Sequence, residues 1–272
     1  YGMLAHEQMG RDLPRTHALP DLTQADWEHL RQEDAVRQAV MLAEVGRRDA
    51  AADDLVWLVR TGDPKDYGAL SRLSRALGLT GAQTFMAYNA PRGEGAHPSL
   101  RYPVTFRAPV GGWRVDPALA FAHALQESNF RETVVSPAGA IGLMQIMPIT
   151  QREYAASINM SSGADLKDPA VNLAFGQRTL ESLNSSNFTQ GKLPKVMAAY
   201  NAGPTPVSRW ESEIRDQGDP LLYMESIPYW ETRGYVAIVM RNYWMYLRQA
   251  DADAPSRVDL AENDWPMFPR AR

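Results

Sequence analysis

The chain has no cysteine. Disulfides and thiolate metal sites are therefore excluded, although a chain without cysteine still fits an oxidising compartment. No stretch approaches the roughly 20 apolar residues of a membrane-spanning helix, and no secretory leader is visible. The five histidines (His6, His17, His29, His97, His123) show no metal-ligand spacing. There is no glycine-rich phosphate loop, no basic patch with interleaved aromatics and no Asp-x-Asp-x-Asp-Gly calcium loop. A formal net charge of −4 gives no general attraction to nucleic acid or anionic lipid. Strand signals are sparse, so any sheet is small. What is present is ordinary for a soluble globular protein: 272 residues, 44% hydrophobic and 22% charged, enough for one large domain or two modest ones.

Helical signals dominate. The chain starts at Tyr1, and Tyr1 to Gly10 reads as an amphipathic helix already under way. That start predicts that upstream sequence has been removed. Residues 24–90 read as helical throughout. Trp27 and Leu30, then Val36, Val40 and Ala43, recur at helical spacing, and Thr23 with Asp26 is a start signal. Leu55, Val56, Leu58 and Val59 form a further stripe ending at Gly62. Asp63-Pro64 opens the next helix, whose stripe is Tyr67, Leu70, Leu73 and Leu77. Short amphipathic helices in series read as stacked pairs, without a fixed repeat period. Residues 91–114 carry turn-forming proline and glycine and read as a linker. Helices return from 115 to 250, with Asp116-Pro117 and Asp168-Pro169 as cap-plus-proline starts and Pro148 and Pro194 opening others. The last long helix is expected from about Pro228 to Arg248. The tail, 251–272, reads as a loop or strap pinned by Trp265 and Phe268.

One carboxyl group draws attention within this frame. Glu127 ends the predicted helix Asp116–Glu127, backed by Leu125 and Phe130. Desolvation disfavours the charged form of a glutamate, raises its pKa and lets it donate a proton near neutral pH. Cleavage of a glycosidic bond needs such a donor on the leaving oxygen. Glu132, five residues on, lies past the helix end among polar residues and reads as solvated surface. By itself Glu127 reads rather as a helix-end acid that caps or pairs with Arg131.

Three segments in order change that balance. The first is Gln126-Glu127-Ser128, followed by Ser136-Pro137-Ala138-Gly139-Ala140-Ile141-Gly142-Leu143-Met144-Gln145-Ile146-Met147-Pro148. The second is Ala198-Ala199-Tyr200-Asn201-Ala202-Gly203-Pro204. The third is Glu225-Ser226-Ile227-Pro228-Tyr229-Trp230-Glu231-Thr232-Arg233-Gly234-Tyr235-Val236. Together they resemble the catalytic domain of the family 1 lytic transglycosylases, and the third segment favours the family's soluble branch. The resemblance covers about residues 100–250 and extends more loosely to the N-terminal helices. It implies a mainly α fold: a lysozyme-like catalytic domain (96–250) preceded by a small helical linker domain (1–95) at the end of an α-superhelix, with the tail 251–272 beyond.

The resemblance also implies a chemistry. The family cleaves the β-1,4 bond between N-acetylmuramic acid and N-acetylglucosamine in peptidoglycan and leaves a 1,6-anhydromuramyl end. It implies no cofactor, glycan strands as partner, a monomer recruited by cell-wall machinery, and the periplasm of a Gram-negative bacterium. Glu127 is then the acid and afterwards the base. Substrate-binding roles fall to Ser136, Met144, Gln145, Tyr200, Asn201 and Glu225. Ser136 is otherwise a turn serine before proline, Met144 equally a core side chain, and Tyr200 otherwise a buried tyrosine with a satisfied hydroxyl. Gln145 offers an amide donor and acceptor to sugar groups. Glu225 is otherwise paired with Arg233. Glu231 and Arg233 are expected to brace the long helix, Tyr229 and Trp230 to be core aromatics, and His123 to be a satisfied core or surface histidine. The competing readings are a lysozyme-type hydrolase, which needs a second carboxylate, and a catalytically silent peptidoglycan-binding protein. Ile141, Ile149 and the spacer from Asn184 to Leu193 depart from the family pattern.

Overall fold

The computed structural model describes residues 1–11, 13, 19–104 and 108–269. Its α-helices are α1 (Gly2–Gln8), α2 (Gln24–Leu30), α3 (Asp34–Glu44), α4 (Arg48–Thr61), α5 (Tyr67–Ala76), α6 (Thr80–Tyr88), α7 (Pro117–Ser128), α8 (Pro148–Tyr154), α9 (Pro169–Asn184), α10 (Leu193–Ala202), α11 (Pro204–Glu213), α12 (Pro220–Ser226), α13 (Trp230–Gln249) and α14 (Pro255–Ala261). Among the described residues there are only isolated β-bridges, Val135 with Ile141, Ile141 with Ile146 and Lys192 with Met267. His17 lies outside the described residues.

Two hydrophobic cores organise these helices. The first gathers the expected stripes of α2 to α6, with Leu30, Val36, Leu55, Leu70, Leu73 and Met86 all buried. Thr23 and Asp26 form a reciprocal capping box at the start of α2. Asp26 is also clasped by Arg72, at 2.8 Å from Nε and 2.6 Å from Nη2, which joins α2 to α5. The second core is larger and is built around α7. That helix starts where Asp116 accepts from the Ala118 amide and Pro117 sits at the first turn. Ala118 to Leu125 are all buried, and a helix apolar on every side belongs inside a domain. Helices α13 and α9 pack against it, and α10 packs against both of them.

Two terminal elements differ from expectation. Leu4 of α1 is buried in the second core, and α1 packs against α14, so the first helix stands apart from the linker helices with which residues 1–95 grouped it. The tail contains α14, started by Pro255, before it becomes a strap. The Leu193 amide then donates to the Pro266 carbonyl at 2.8 Å and the Phe268 amide to the Gly191 carbonyl at 2.7 Å. Trp265 is pinned against Tyr223, ring centroids 5.4 Å apart, and under Lys192.

The two cores meet beside the predicted acid. Arg48 of α4 pairs with Glu132 at 3.5 Å, Thr133 donates to Asp49, and Thr80 of α6 reaches the Phe130 carbonyl at 3.4 Å. Glu132 is therefore a correction: it is a half-buried ion-pair partner of the N-terminal helices, not a solvated surface acid.

Candidate active site

Glu127 stands in the last turn of α7, with only part of its surface exposed. The helix stops at once because Asn129 takes the left-handed conformation, φ 52°, which asparagine tolerates better than most residues. Burial pushes the Glu127 carboxyl up to about 7. Tyr235 opposes that rise by donating its hydroxyl proton to Glu127 Oε1 at 2.6 Å, and the charge of Glu231 adds to it. A substantial fraction of the carboxyl therefore keeps its proton near neutral pH, the state a general acid requires.

Behind this pair lies His123, one helical turn before Glu127 and fully buried. Its Nδ1 is 2.8 Å from the Tyr235 hydroxyl. Burial holds the imidazole down at about 3, hence neutral. Tyr200 packs on the imidazole, ring centroids 4.7 Å apart. Burial holds the hydroxyls of Tyr200 and Tyr235 well above the usual phenolic range, so both keep their protons. His123 thus reaches the acid through Tyr235 and not directly.

The loop from Gly142 to Ile146 is latched by side chains from three helices. Ser128 of α7 donates to the Leu143 carbonyl at 2.8 Å. Tyr200 of α10 donates to the Met144 carbonyl at 2.8 Å. Asn172 of α9 accepts from the Met144 amide at 2.8 Å and donates to the Ile141 and Leu166 carbonyls, both at 2.8 Å. Gly142 has φ +76°, and a Cβ there would strike Asn172 and the Leu166 carbonyl; the close approach explains the glycine.

Several expected contacts resolve differently. Met144 is a correction: its side chain is fully buried in a notch at Gly176, where a Cβ would collide with its sulfur, so it does not line the cleft. Tyr200 holds the loop and not the acid. Asn201 accepts from Thr232 of α13 at 2.7 Å. Ser136 Oγ accepts from the Ala140 amide at 3.0 Å and closes its own turn. Gln145 is partly exposed at φ 49° with its amide donating to the Gly142 carbonyl at 2.8 Å. Glu225 is exposed, and the Arg233 guanidinium donates to the Ile227 carbonyl at 2.9 Å and 3.2 Å instead of pairing with it. Tyr229 and Trp230 are not core aromatics: they are 45% and 82% exposed. Both line a groove of about 480 Å³ with Asn201, Ala202, Pro228, Glu231 and Thr232.

Three participants escaped the sequence reading as site residues. Tyr235 lies inside the third segment, but nothing local in the sequence marks it as a partner of the acid. Glu231 was assigned to bracing and instead bears on the acid. Asn172 carried one faint signal, a polar residue at an otherwise apolar position of α9. Among the described residues no group of three or more His, Asp or Glu side chains could hold a metal ion, and no helix is long and apolar enough to cross a membrane.

Comparison with known proteins accords with this geometry. Residues 105–222 match the family described as Transglycosylase SLT domain. Over 166 residues the chain is 36% identical to the soluble lytic murein transglycosylase of Escherichia coli K12, covering 60% of this chain and 25% of that protein. The 70 kDa soluble lytic transglycosylase of Escherichia coli superposes over 99% of this chain and 43% of its own, with a TM-score of 0.77 and 26% identity. An inactive glutamate-to-glutamine mutant of the lytic transglycosylase Slt from Pseudomonas aeruginosa superposes over 94% of this chain and 42% of its own, with a TM-score of 0.69 and 25% identity. The chain thus spans a quarter of the length of the Escherichia coli K12 protein and less than half of these solved structures. The three sequence segments and the helical architecture thus accompany a match to the Transglycosylase SLT domain over residues 105–222, and it is this part of the chain that resembles the family.

Proposed function

We propose that the protein is a peptidoglycan lytic transglycosylase that uses Glu127 alone as acid and then base. The observation that carries this reading is a single largely buried carboxyl, its pKa raised to about 7, with one oxygen occupied by Tyr235. Glu127 gives its proton to the oxygen of the β-1,4 bond, and the bond from that oxygen to the muramoyl C1 breaks. The muramoyl N-acetyl group stabilises the positive charge at C1 from its own sugar. The Glu127 carboxylate then takes the proton of the C6 hydroxyl, and O6 bonds to C1 to close the 1,6-anhydro ring. The acid regains its proton, no water is consumed, and no cofactor is required.

An ordinary glycosidase places two carboxylates about the scissile bond. Glu231 is the other carboxylate whose charge reaches Glu127, but it is exposed at the start of α13 and hydrogen-bonds nothing at the site among the described residues. This favours the lytic over the hydrolytic reading. The inactive glutamate-to-glutamine relative fits one indispensable carboxyl. Gln145, Ser136 and Asn201 supply polar groups toward the glycan, and exposed Trp230 and Tyr229 supply flat apolar faces on which a sugar ring stacks. Such a substrate implies a periplasmic setting in a Gram-negative bacterium.

The test is mass spectrometry of the muropeptides released from purified sacculi by the chain and by Glu127→Gln. Anhydromuramyl ends from the unmodified chain alone are expected. Reducing ends would make it a hydrolase, and binding without products from either form would make it a peptidoglycan-binding protein.

A further inference from the structure

Proton counting at the buried end of the site assigns a role to His123. Tyr235 has one proton, and its oxygen stands 2.6 Å from Glu127 Oε1 and 2.8 Å from His123 Nδ1. Two arrangements satisfy those distances. In one, Nδ1 carries the imidazole proton and donates it to the Tyr235 oxygen, whose own proton goes to Glu127. In the other, Nε2 carries it, Tyr235 donates to bare Nδ1, and nothing is left for Glu127. Oε1 must then bear the acid's proton itself, pointing at Tyr235 and away from any substrate.

The surroundings choose between them. His123 Nε2 is buried and has no hydrogen-bond partner among the described residues. A proton there would be an orphaned buried donor, which is rarer and costlier than an under-satisfied acceptor. The imidazole is fully buried, packs at a tilt against Tyr200 from α10 and Tyr235 from α13, and its own helix contributes Glu127. Among the described residues, the further titratable groups that act on this chain of contacts are Glu231, whose charge raises the Glu127 pKa, and Tyr200 itself, which bears on Tyr235. An apolar residue would fill the same space without an orphaned nitrogen, so packing alone does not explain a histidine.

We infer that His123 is a positioning residue: by donating from Nδ1 to the Tyr235 oxygen it commits the phenolic proton to Glu127 Oε1 and leaves the acid's transferable proton on Oε2. Oε2 accepts no hydrogen bond among the described residues, and Glu127 is partly exposed. The consequence for turnover rests on the lytic reading above; the proton assignment does not.

The experiment uses the full chain with ¹⁵N-labelled histidine and ¹³C-labelled glutamate side chains, alongside His123→Leu and His123→Asn. The ring shifts should show a neutral His123 protonated at Nδ1. In His123→Leu the Tyr235 hydroxyl is a freer and weaker donor, so Glu127 should titrate at higher pH. Its kcat on glycan strands should fall about tenfold, the order of one hydrogen bond, with KM unchanged. His123→Asn, whose amide supplies a donor near Nδ1, should recover most of both. A proton on Nε2, or a folded His123→Leu with unchanged Glu127 titration, overturns the inference. If His123→Leu does not fold, the tautomer and His123→Asn decide it. If the unmodified chain releases no glycan products, the lytic reading falls while the tautomer and titration still judge His123.

Discussion

Tyr235 donates to Glu127 Oε1 across 108 positions of sequence at 2.6 Å. The bond works against burial: desolvation raises the Glu127 pKa and the hydroxyl lowers it, with the balance near 7. In Tyr235→Phe only the raising influences remain. A general acid is active while protonated, so activity falls as pH rises through its pKa. The alkaline limb of kcat/KM should move to higher pH in Tyr235→Phe. Its kcat should fall about tenfold or more, because the acid loses its fixed orientation. An unmoved limb would mean that the bond does not exist in solution.

Glu231→Gln provides the opposite sign. The Glu231 charge raises the Glu127 pKa, so its removal lets Glu127 ionise more readily. The alkaline limb should move to lower pH, and the displacement should shrink as salt screens the remaining charges. Glu231 is exposed, so its replacement should leave the melting temperature within about 2 °C. The pH–rate profile at two ionic strengths checks this.

Glu127 also makes stability depend on pH. Its pKa is about 7 in the folded chain against 4.5 for an ordinary glutamate. Between those values the folded state holds a proton that the unfolded state has lost. Stability therefore falls as pH rises from 4.5 to 7 and is flat beyond. Glu127→Gln removes the titration. It should be more stable than the parent at pH 8, by at most about 3 kcal/mol, and nearly equal at pH 4. Denaturant melts at the two pH values measure the difference; equal stabilities at pH 8 would mean that the acid is not buried as described.

Legibility in the sequence followed the range of each interaction. Helix starts written in local chemistry, such as Asp116-Pro117, Asp168-Pro169 and Thr23 with Asp26, are where the structure begins α7, α9 and α2. Glu127 was legible because its segment is contiguous. Its partners were not, because Tyr235 and His123 become neighbours only when α13 lies on α7. Met144 and Trp230 went wrong for one reason. Residue type gives burial odds, but a glycine notch on α9 draws one into the core, and Pro228 and the start of α13 leave the other at the rim of a groove. Glu132 read as surface because Arg48 stands 84 positions earlier in the chain.

Asn172 offers the sharpest test of the latched loop. It is fully buried and satisfies the Met144 amide and the Ile141 and Leu166 carbonyls at once. Asn172→Ala leaves the Met144 amide and the Leu166 carbonyl without partners, while the Ile141 carbonyl keeps the Ile146 amide; it should cost about 3 kcal/mol, a fall in melting temperature of roughly 6–12 °C. Asn172→Asp separates the two directions of hydrogen bonding. Its carboxyl still accepts from the Met144 amide, but it faces the Ile141 and Leu166 carbonyls with a charge where the amide placed donors. Its pKa should therefore rise, and the variant should lose stability as pH rises through that value. At pH 8 Asn172→Asp should be less stable than Asn172→Ala. At pH 4, protonated, it regains one donor and should recover toward or beyond it. Thermal melts of the two variants at both pH values check this, and a deficit of Asn172→Asp that does not shrink from pH 8 to pH 4 would mean that Asn172 does not serve as donor to the loop.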